Sequence, residues 1–254
     1  MLVVGLFLLS VLLVLQVLAY RKLRKVHLAT FRLLEGAAEA HSLFHQFQAY
    51  DSLMRLINPG APLPLLRGWA ASPDLLLLLA QHIIKHKPDH ILECSSGAST
   101  LVMARCCQRN GKGHVWSLEH DEDYAKQTRE RLAEHGLEVW ASVIHSPLVP
   151  TGASRQPWYD LAGLGAPDGG FDMLVIDGPP NSSTPLARYP ALPQLDPLLK
   201  SGAFVFLDDA SRKGEQQALA RWKLELPHYT DTALPLEKGG RMLIKNFPSA
   251  GERE

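Results

Sequence analysis

The chain has 254 residues, of which 46% are hydrophobic and 20% are charged, and its formal net charge at pH 7 is zero. These values are typical of one globular domain with an extension, and the lack of a basic excess argues against a nucleic-acid partner. The three cysteines are an odd number and two are adjacent, which excludes a disulfide framework and favours a reducing compartment.

The first twenty residues contain no charged side chain. A helix over residues 2–19 would rise about 27 Å, close to the ~30 Å hydrocarbon core of a bilayer. The next five residues, RKLRK, contain four basic side chains, whereas a cleaved signal peptide carries its positive charge before the apolar segment. We therefore predict a transmembrane signal anchor over residues 1–20, single-pass in the cell (inner) membrane, with the remaining chain in the cytoplasm. A buried core helix is the alternative.

Residues 21–68 are predicted to form a juxtamembrane helix and a linker. Apolar side chains recur at helical spacings through residues 21–57, which is typical of an amphipathic packing helix and offers a surface for a homodimer. The sequence NPGAPLPLLRG, residues 58–68, is rich in proline and glycine, as linkers are.

The remaining segment, residues 69–248, alternates between helical and strand patterns. Short apolar stretches predict five strands, at residues 90–94, 114–119, 139–145, 171–177 and 203–207. Helical patterns separate them, and a hairpin around Lys238-Gly239-Gly240 closes the segment. This alternation predicts an α/β, doubly wound domain with a mostly parallel seven-stranded sheet, helices on both faces and an antiparallel last strand.

Ligands of such sheets bind beside the carboxyl ends of the strands, and acidic residues end four of the five predicted strands. A phosphate site would present lysine, arginine or bare backbone amides instead, and no GxxxxGK[ST] loop is present. The strand ends therefore predict a cationic ligand rich in hydroxyl groups. They read ECSSG at 93–97, EHD at 119–121, HSP at 145–147, DGPP at 177–180 and DD at 208–209.

Several of these side chains are predicted to bind that ligand. Glu119 lies 22 residues after Gly97, where a carboxylate accepts hydrogen bonds from a ribose diol. Glu93 is expected to interact with an ammonium group, and Gly97 allows the backbone to approach the ligand closely. The other candidates for the cofactor site are Ser95, Ser96, Ser99, His120, His145, Ser146 and Asp177.

Three motifs resemble those of class I S-adenosylmethionine-dependent methyltransferases. ILECSSGAST is similar to the family's acidic-x-Gly-x-Gly loop, HVWSLEHDEDY to its acidic second-strand end, and FDMLVIDGPP with GAFVFLDDA to its fourth and fifth strands. The resemblance covers roughly residues 70–246 and implies a Rossmann-like methyltransferase fold, S-adenosylmethionine as cofactor and a bacterial membrane-anchored subgroup with the DGPP motif. Ser95 replaces the family's usual first glycine, and His145 or Ser146 is expected to replace the usual Gly-Asp as the adenine contact.

Methyl transfer from a sulfonium aligns a nucleophile with the methyl carbon and often removes a proton from that nucleophile. Two mechanisms remain open. In one, Asp177 or Asp208 is the general base. In the other, Asp177, Asp208 and Asp209 hold a divalent ion such as Mg²⁺, which resembles the catechol-type methyltransferases, although these usually present Asp-Asn at the fifth strand. Arg188 and Tyr189 are candidates for binding an acidic acceptor.

The sequence as a whole predicts a membrane-anchored methyltransferase that acts on an oxygen of a small molecule, a lipid-linked acceptor or an envelope or saccharide precursor. Trp69 and Trp158 are weaker candidates for the acceptor pocket. A nicotinamide-dependent oxidoreductase is one alternative, opposed by the single glycine of ILECSSGAST where G-x-G-x-x-G is expected. A non-catalytic membrane protein that assembles through residues 21–57 is the other.

Overall fold

The structure, a computed structural model, describes residues 2–152, 156–180 and 186–247. It contains two compact units, residues 1–47 and 48–254. The first unit consists of most of helix α1 (Leu2–Ile57), in which Gly5–Phe31 has a mean hydropathy of 1.9 and is long and apolar enough to cross a membrane. The large apolar side chains from Leu6 to Tyr20 are exposed. The predicted apolar helix at the N-terminus is thus present, within a helix that continues to Ile57, and its insertion in a membrane stays a prediction.

The second unit begins with the last turns of α1, whose Leu53 and Ile57 are fully buried. Helix α2 (Pro73–His86) follows a proline-rich stretch. It starts after extended Ser72, with proline at the first helical position. Buried Leu75, Leu79 and Ile83 of α2 are spaced four residues apart, so one face of the helix packs on the core.

The described residues form the strands β1 (His90–Cys94), β2 (His114–Glu119), β3 (Ala141–His145), β4 (Leu148–Thr151), β5 (Gln156–Tyr159), β6 (Phe171–Ile176), β7 (Leu199–Asp208), β8 (Tyr229–Leu234) and β9 (Gly240–Lys245). Seven of them form one sheet in the order β3-β2-β1-β6-β7-β9-β8. The pairs among β3, β2, β1, β6 and β7 are parallel, while β9 pairs antiparallel with both β7 and β8. The predicted fold class is therefore confirmed.

Helices cover both faces of this sheet, because parallel strands are apolar on both sides. On one face, α2, α3 (Ala98–Asn110) and α4 (Glu122–Glu134) contribute to a large apolar cluster with β1 and β2. On the other face, α5 (Ala191–Leu195) and α6 (Lys213–Glu225) pack with a second cluster. A short 3-10 helix, Asp196–Leu198, links α5 to β7.

The hairpin of β4 and β5 was not predicted. Its strands pair antiparallel, with Pro150 opposite Pro157. Prolines disfavour a strand assignment because they remove ladder donors. The hairpin buries Trp158 and Tyr159 in the second apolar cluster, beside the carboxyl end of the sheet. The hairpin is therefore stabilised by burial in the tertiary structure, which no local sequence pattern predicts.

Candidate active site

The candidate site lies at the border of β1 and β6. The strand order reverses here, since β1 lies between β2 and β6, and open α/β sheets bind ligands in the crevice at such a point. Ser95 follows β1 and donates its backbone N–H to Leu118 O of β2 at 2.8 Å. Asp177 follows β6 and donates its backbone N–H to Cys94 O at 3.2 Å. The two loops therefore leave the sheet side by side.

The loop after β1 has the backbone of a glycine loop despite its serine. Ser95 has a φ of 84°, in the left-handed region that favours glycine. A non-glycine residue held there costs on the order of 1 kcal/mol. A Cβ built on Gly97 would meet no atom within 4 Å, so the space beside this part of the loop is open. The loop therefore has the backbone conformation of a glycine at this position, although the residue is Ser95.

Glu93 holds this loop from within the core. Its side chain is fully buried, and its Oε2 accepts hydrogen bonds from Thr100 Oγ1 at 2.5 Å and Ser117 Oγ at 2.6 Å. Thr100 Oγ1 in turn accepts the backbone N–H of Gly97 at 2.9 Å. Oε1 of Glu93 has no hydrogen-bond partner in the described part of the chain. Burial raises the pKa of Glu93 to about 7, although the hydroxyl donors oppose the shift.

Glu119 ends β2 and connects the same loop to the start of α4. Its Oε2 accepts Ser96 N at 2.8 Å and Ser96 Oγ at 3.1 Å, and its Oε1 accepts Asp121 N at 3.1 Å. His120 Nδ1 lies 2.9 Å from Oε1. Burial alone would raise the pKa of Glu119, but donors from His120, Ser96 and Asp121 outweigh it and lower that pKa. The side chain is therefore an ionised acceptor with protein donors on both oxygens.

An acidic cluster follows β6 and β7. One carboxylate oxygen from each of Asp177, Asp208 and Asp209 lies within 4.8 Å of the others. Asp208 is buried, and neither of its carboxylate oxygens has a partner in the described residues. Asp177 keeps 17% of its side chain exposed. Burial raises the pKa of Asp177 to about 8, with Arg188 opposing and the neighbouring carboxylates reinforcing the shift. Burial and Asp209 likewise raise the pKa of Asp208.

Arg188 is the centre of this cluster. Its side chain is 4% exposed. Nη2 donates to Asp177 Oδ1 at 3.1 Å, to Asp209 Oδ2 at 3.0 Å and to the backbone oxygen of Asp177 at 2.6 Å. Nη1 donates to the backbone oxygen of Asp208 at 2.9 Å, and Nε lies 3.7 Å from Glu215 Oε1. The guanidinium is therefore bound to the protein itself, and an acceptor-binding role for Arg188 stays a prediction that these contacts do not favour.

Carboxylate oxygens are suitable ligands for Mg²⁺, the ion predicted at this cluster. Arg188 Nη2 contacts one carboxylate oxygen of Asp177 and one of Asp209, two of the three carboxylates that would bind the ion. A divalent ion on those oxygens would lie against a guanidinium, which does not lose its proton in proteins. With Arg188 in this position, the three carboxylates do not fit a metal ion.

Tyr159 is a site residue that sequence reasoning missed. It lies at the end of β5, is 1% exposed, and its hydroxyl has no partner in the described segments. A Cβ built on Gly178 would lie 2.5 Å from Tyr159 Oη and 2.5 Å from Ser95 Cβ. The hydroxyl is therefore beside both loops of the crevice. The only sequence signal near Tyr159 was its neighbour Trp158, which was a weaker candidate for the acceptor pocket.

The remaining candidates divide between the crevice and other places. Ser146 is buried after β3, its N–H donates to Glu119 O at 2.7 Å, and its hydroxyl has no partner among the described residues. His145 is exposed at the end of β3, and Ser99 is buried in the first turn of α3. Tyr189 instead packs on α6, where its hydroxyl donates to Glu225 Oε2 at 2.7 Å.

The two tryptophans do not share a pocket. Trp158 is fully buried in the apolar cluster under α5 and α6, whereas Trp69 is 87% exposed. A large buried indole surface contributes to core packing. The structure therefore places Trp158 in the core and does not bring Trp69 to it.

Comparison with known proteins agrees with this geometry. Residues 92–210 match the model of a family described as a methyltransferase domain. This segment is therefore similar to a methyltransferase domain. It includes the loop after β1, the end of β2 and the acidic cluster, so the predicted enzyme class is confirmed. No curated protein matches the sequence.

Solved structures of methyltransferases share the fold of the domain. The O-methyltransferase TomG from Streptomyces achromogenes, involved in tomaymycin synthesis and solved with S-adenosylmethionine, has a TM-score of 0.55 and 18% identity over 80% of this chain and 89% of that chain. PaMTH1 from Podospora anserina, bound to S-adenosylhomocysteine, has a TM-score of 0.57 and 17% identity over 84% of this chain and 97% of that chain. An O-methyltransferase from Bacillus cereus in complex with S-adenosylhomocysteine has a TM-score of 0.54 and 19% identity over 78% of this chain and 91% of that chain. At these identities the similarity concerns the fold.

Proposed function

We propose that the methyltransferase domain transfers the methyl group of S-adenosylmethionine to a hydroxyl oxygen of a small-molecule acceptor. The observation that carries the proposal is the convergence of Glu119, Glu93 and Asp177 at the carboxyl ends of three adjacent strands, β2, β1 and β6. Such a crevice is where open α/β sheets bind nucleotide-like ligands. Three methyltransferases of this fold were solved with S-adenosylmethionine or S-adenosylhomocysteine.

The residues of the crevice suit the cofactor in charge and hydrogen-bonding capacity. The open space beside Gly97 admits a ligand close to the backbone. The ionised Glu119 suits a ribose diol, which would share or replace its present donors, Ser96 and Asp121. The buried hydroxyls of Tyr159 and Ser146, which have no partner within residues 2–152, 156–180 and 186–247, are available to a polar ligand. When bound, S-adenosylmethionine supplies an electrophilic methyl group on its sulfonium.

Asp177 is proposed as the general base. It is the partly exposed member of the acidic cluster, so an acceptor hydroxyl can reach it. A base works best when its pKa is near the working pH, and burial raises the pKa of Asp177 to about 8. Arg188 holds one carboxylate oxygen and the backbone oxygen of Asp177, which orients the group. Asp208 is fully enclosed behind it and is the weaker candidate.

The proposed place of action is the cytoplasmic surface of the cell (inner) membrane. The apolar helix Gly5–Phe31 supports an anchor, and the basic run RKLRK supports the orientation. We accordingly propose the division into an anchor (1–20), a juxtamembrane segment (21–68) and a catalytic domain (69–248). Tethering concentrates the enzyme near a lipid-linked acceptor or an envelope or saccharide precursor. Membership of the DGPP subgroup and a homodimer through residues 21–57 stay predictions.

Thermal unfolding of the full chain in mild detergent tests the proposal. S-adenosylmethionine, S-adenosylhomocysteine and NAD are each added in separate samples. Ligand at about 100 times its Kd stabilises the folded state by ~2.7 kcal/mol, which raises Tm by roughly 5–10 °C for a domain of this size. A shift with the two adenosyl compounds and not with NAD is expected. A shift with NAD alone would favour the oxidoreductase, and no shift in a folded sample would favour the non-catalytic alternative.

Two glutamate variants make the measurement specific to the crevice. Glu119→Gln removes the ionised acceptor, whereas Glu130→Gln changes an exposed residue of α4. The first is expected to weaken S-adenosylhomocysteine binding by about 2 kcal/mol, the size of a charge-assisted hydrogen-bond pair. The second is expected to bind like the unmodified chain. Equal affinity of the two variants would remove Glu119 from the ribose role.

A further inference from the structure

Arg188 is enclosed more completely than a surface ion pair requires. Its guanidinium contacts both the side chain and the backbone oxygen of Asp177, the backbone oxygen of Asp208 and the side chain of Asp209. The two backbone oxygens belong to the ends of β6 and β7. The position of the guanidinium is therefore set by the backbone at the end of the sheet as well as by the acidic side chains.

Four carboxyl groups surround the guanidinium, and its positive charge offsets part of their mutual repulsion. Asp177, Asp208, Asp209 and Glu215 bring four carboxyl groups together, and Asp208 and Glu215 are 1% exposed. Carboxylates this close repel each other unless a cation separates them. Arginine suits the place better than lysine, because its planar fork donates in several directions at once and keeps its charge.

We propose that the guanidinium of Arg188 takes the structural place of a divalent metal ion, so that the enzyme holds Asp177 for catalysis without a metal. This inference rests on the function proposed above. Arg188 is then a positioning residue, which acts through Asp177 and contacts neither acceptor nor cofactor. A metal ion that bound to this cluster would rely mainly on Asp208. Both carboxylate oxygens of Asp208 lack a hydrogen-bond donor in the described residues, so they would be open to the ion.

Manganese binding to the full chain in detergent tests the proposal, since Mn²⁺ prefers the same oxygen ligands as Mg²⁺ and has an electron paramagnetic resonance signal. The unmodified chain is expected to bind no Mn²⁺ at about 1 mM, a concentration that fills weak carboxylate sites. Arg188→Met is expected to gain a Mn²⁺ site that fills at about 0.1 mM, ~10-fold below the concentration at which the unmodified chain binds none, because the cluster loses its internal cation. A residue with a merely structural role would not produce that gain.

Arg212→Met is the matched control. Arg212 also contacts Asp209, at 2.7 Å, but it is 48% exposed and leaves Arg188 in place. It is expected to bind no Mn²⁺, like the unmodified chain. Mn²⁺ binding by the unmodified chain that Asp208→Asn abolishes would overturn the proposal, as would a folded Arg188→Met variant that gains no Mn²⁺ site.

Two further measurements keep the outcome unambiguous. If Arg188→Met does not fold, the Mn²⁺ titration of the unmodified chain decides alone: binding that Asp208→Asn abolishes overturns the proposal, and no binding supports it. S-adenosylhomocysteine is titrated in parallel by calorimetry. Absent S-adenosylhomocysteine binding would contradict the proposed function, whereas S-adenosylhomocysteine binding together with a native Mn²⁺ site would contradict only the role given to Arg188.

Discussion

Glu93→Gln is expected to make the ligand-free chain more stable at pH 8 than the unmodified chain. Glu93 is fully buried beneath the loop, and burial raises its pKa from 4.5 to about 7. Between these values the folded chain keeps a proton that the unfolded chain releases. Its free energy of unfolding therefore falls as pH rises from 4.5 to about 7 and is constant above that. Glutamine does not titrate, and it keeps an acceptor for the hydroxyls of Thr100 and Ser117.

The shift in pKa sets the size of the effect. A rise of this size corresponds to about 3 kcal/mol at full ionisation, or roughly 10 °C in Tm for a domain of this length. Thermal unfolding of both chains at pH 5 and at pH 8 measures the difference. The advantage of Glu93→Gln should appear at pH 8 and be small at pH 5, with exposed Glu130→Gln showing no such change. An equal difference at both pH values would refute the reasoning, because it would mean that Glu93 does not titrate in this range.

Three further predictions concern the crevice. Ser95→Gly removes a side chain from a backbone with φ of 84° and should raise stability by about 1 kcal/mol, seen in urea unfolding. Tyr159→Phe removes a hydroxyl without a protein partner in the described residues; Tm should stay constant while S-adenosylhomocysteine affinity falls by about 1 kcal/mol in calorimetry. Asp177→Asn should bind the cofactor normally and lose ~100-fold or more in turnover once an acceptor is found; full turnover would exclude the base role.

The sequence by itself determined the architecture and the edge of the sheet where chemistry lies. The alternation of apolar stretches and helical patterns was enough to predict the doubly wound sheet, because each strand of a parallel sheet must be apolar on both faces. The acidic strand ends were visible as Glu93, Glu119, Asp177 and Asp208-Asp209, because the carboxyl ends of parallel strands share one edge. Only local periodicity and strand direction were needed for these conclusions.

The tertiary structure alone decided how the residues at that edge are used. Arg188 was expected to bind an acceptor, but packing encloses it among carboxylates from β6, β7 and α6. Tyr159 reaches the crevice through a hairpin whose prolines gave no strand signal. Ser95 adopts the backbone of the glycine it replaces. The partners of a buried charge or hydroxyl are set by segments distant in sequence, and burial makes those contacts decisive because an unpaired polar group is costly there.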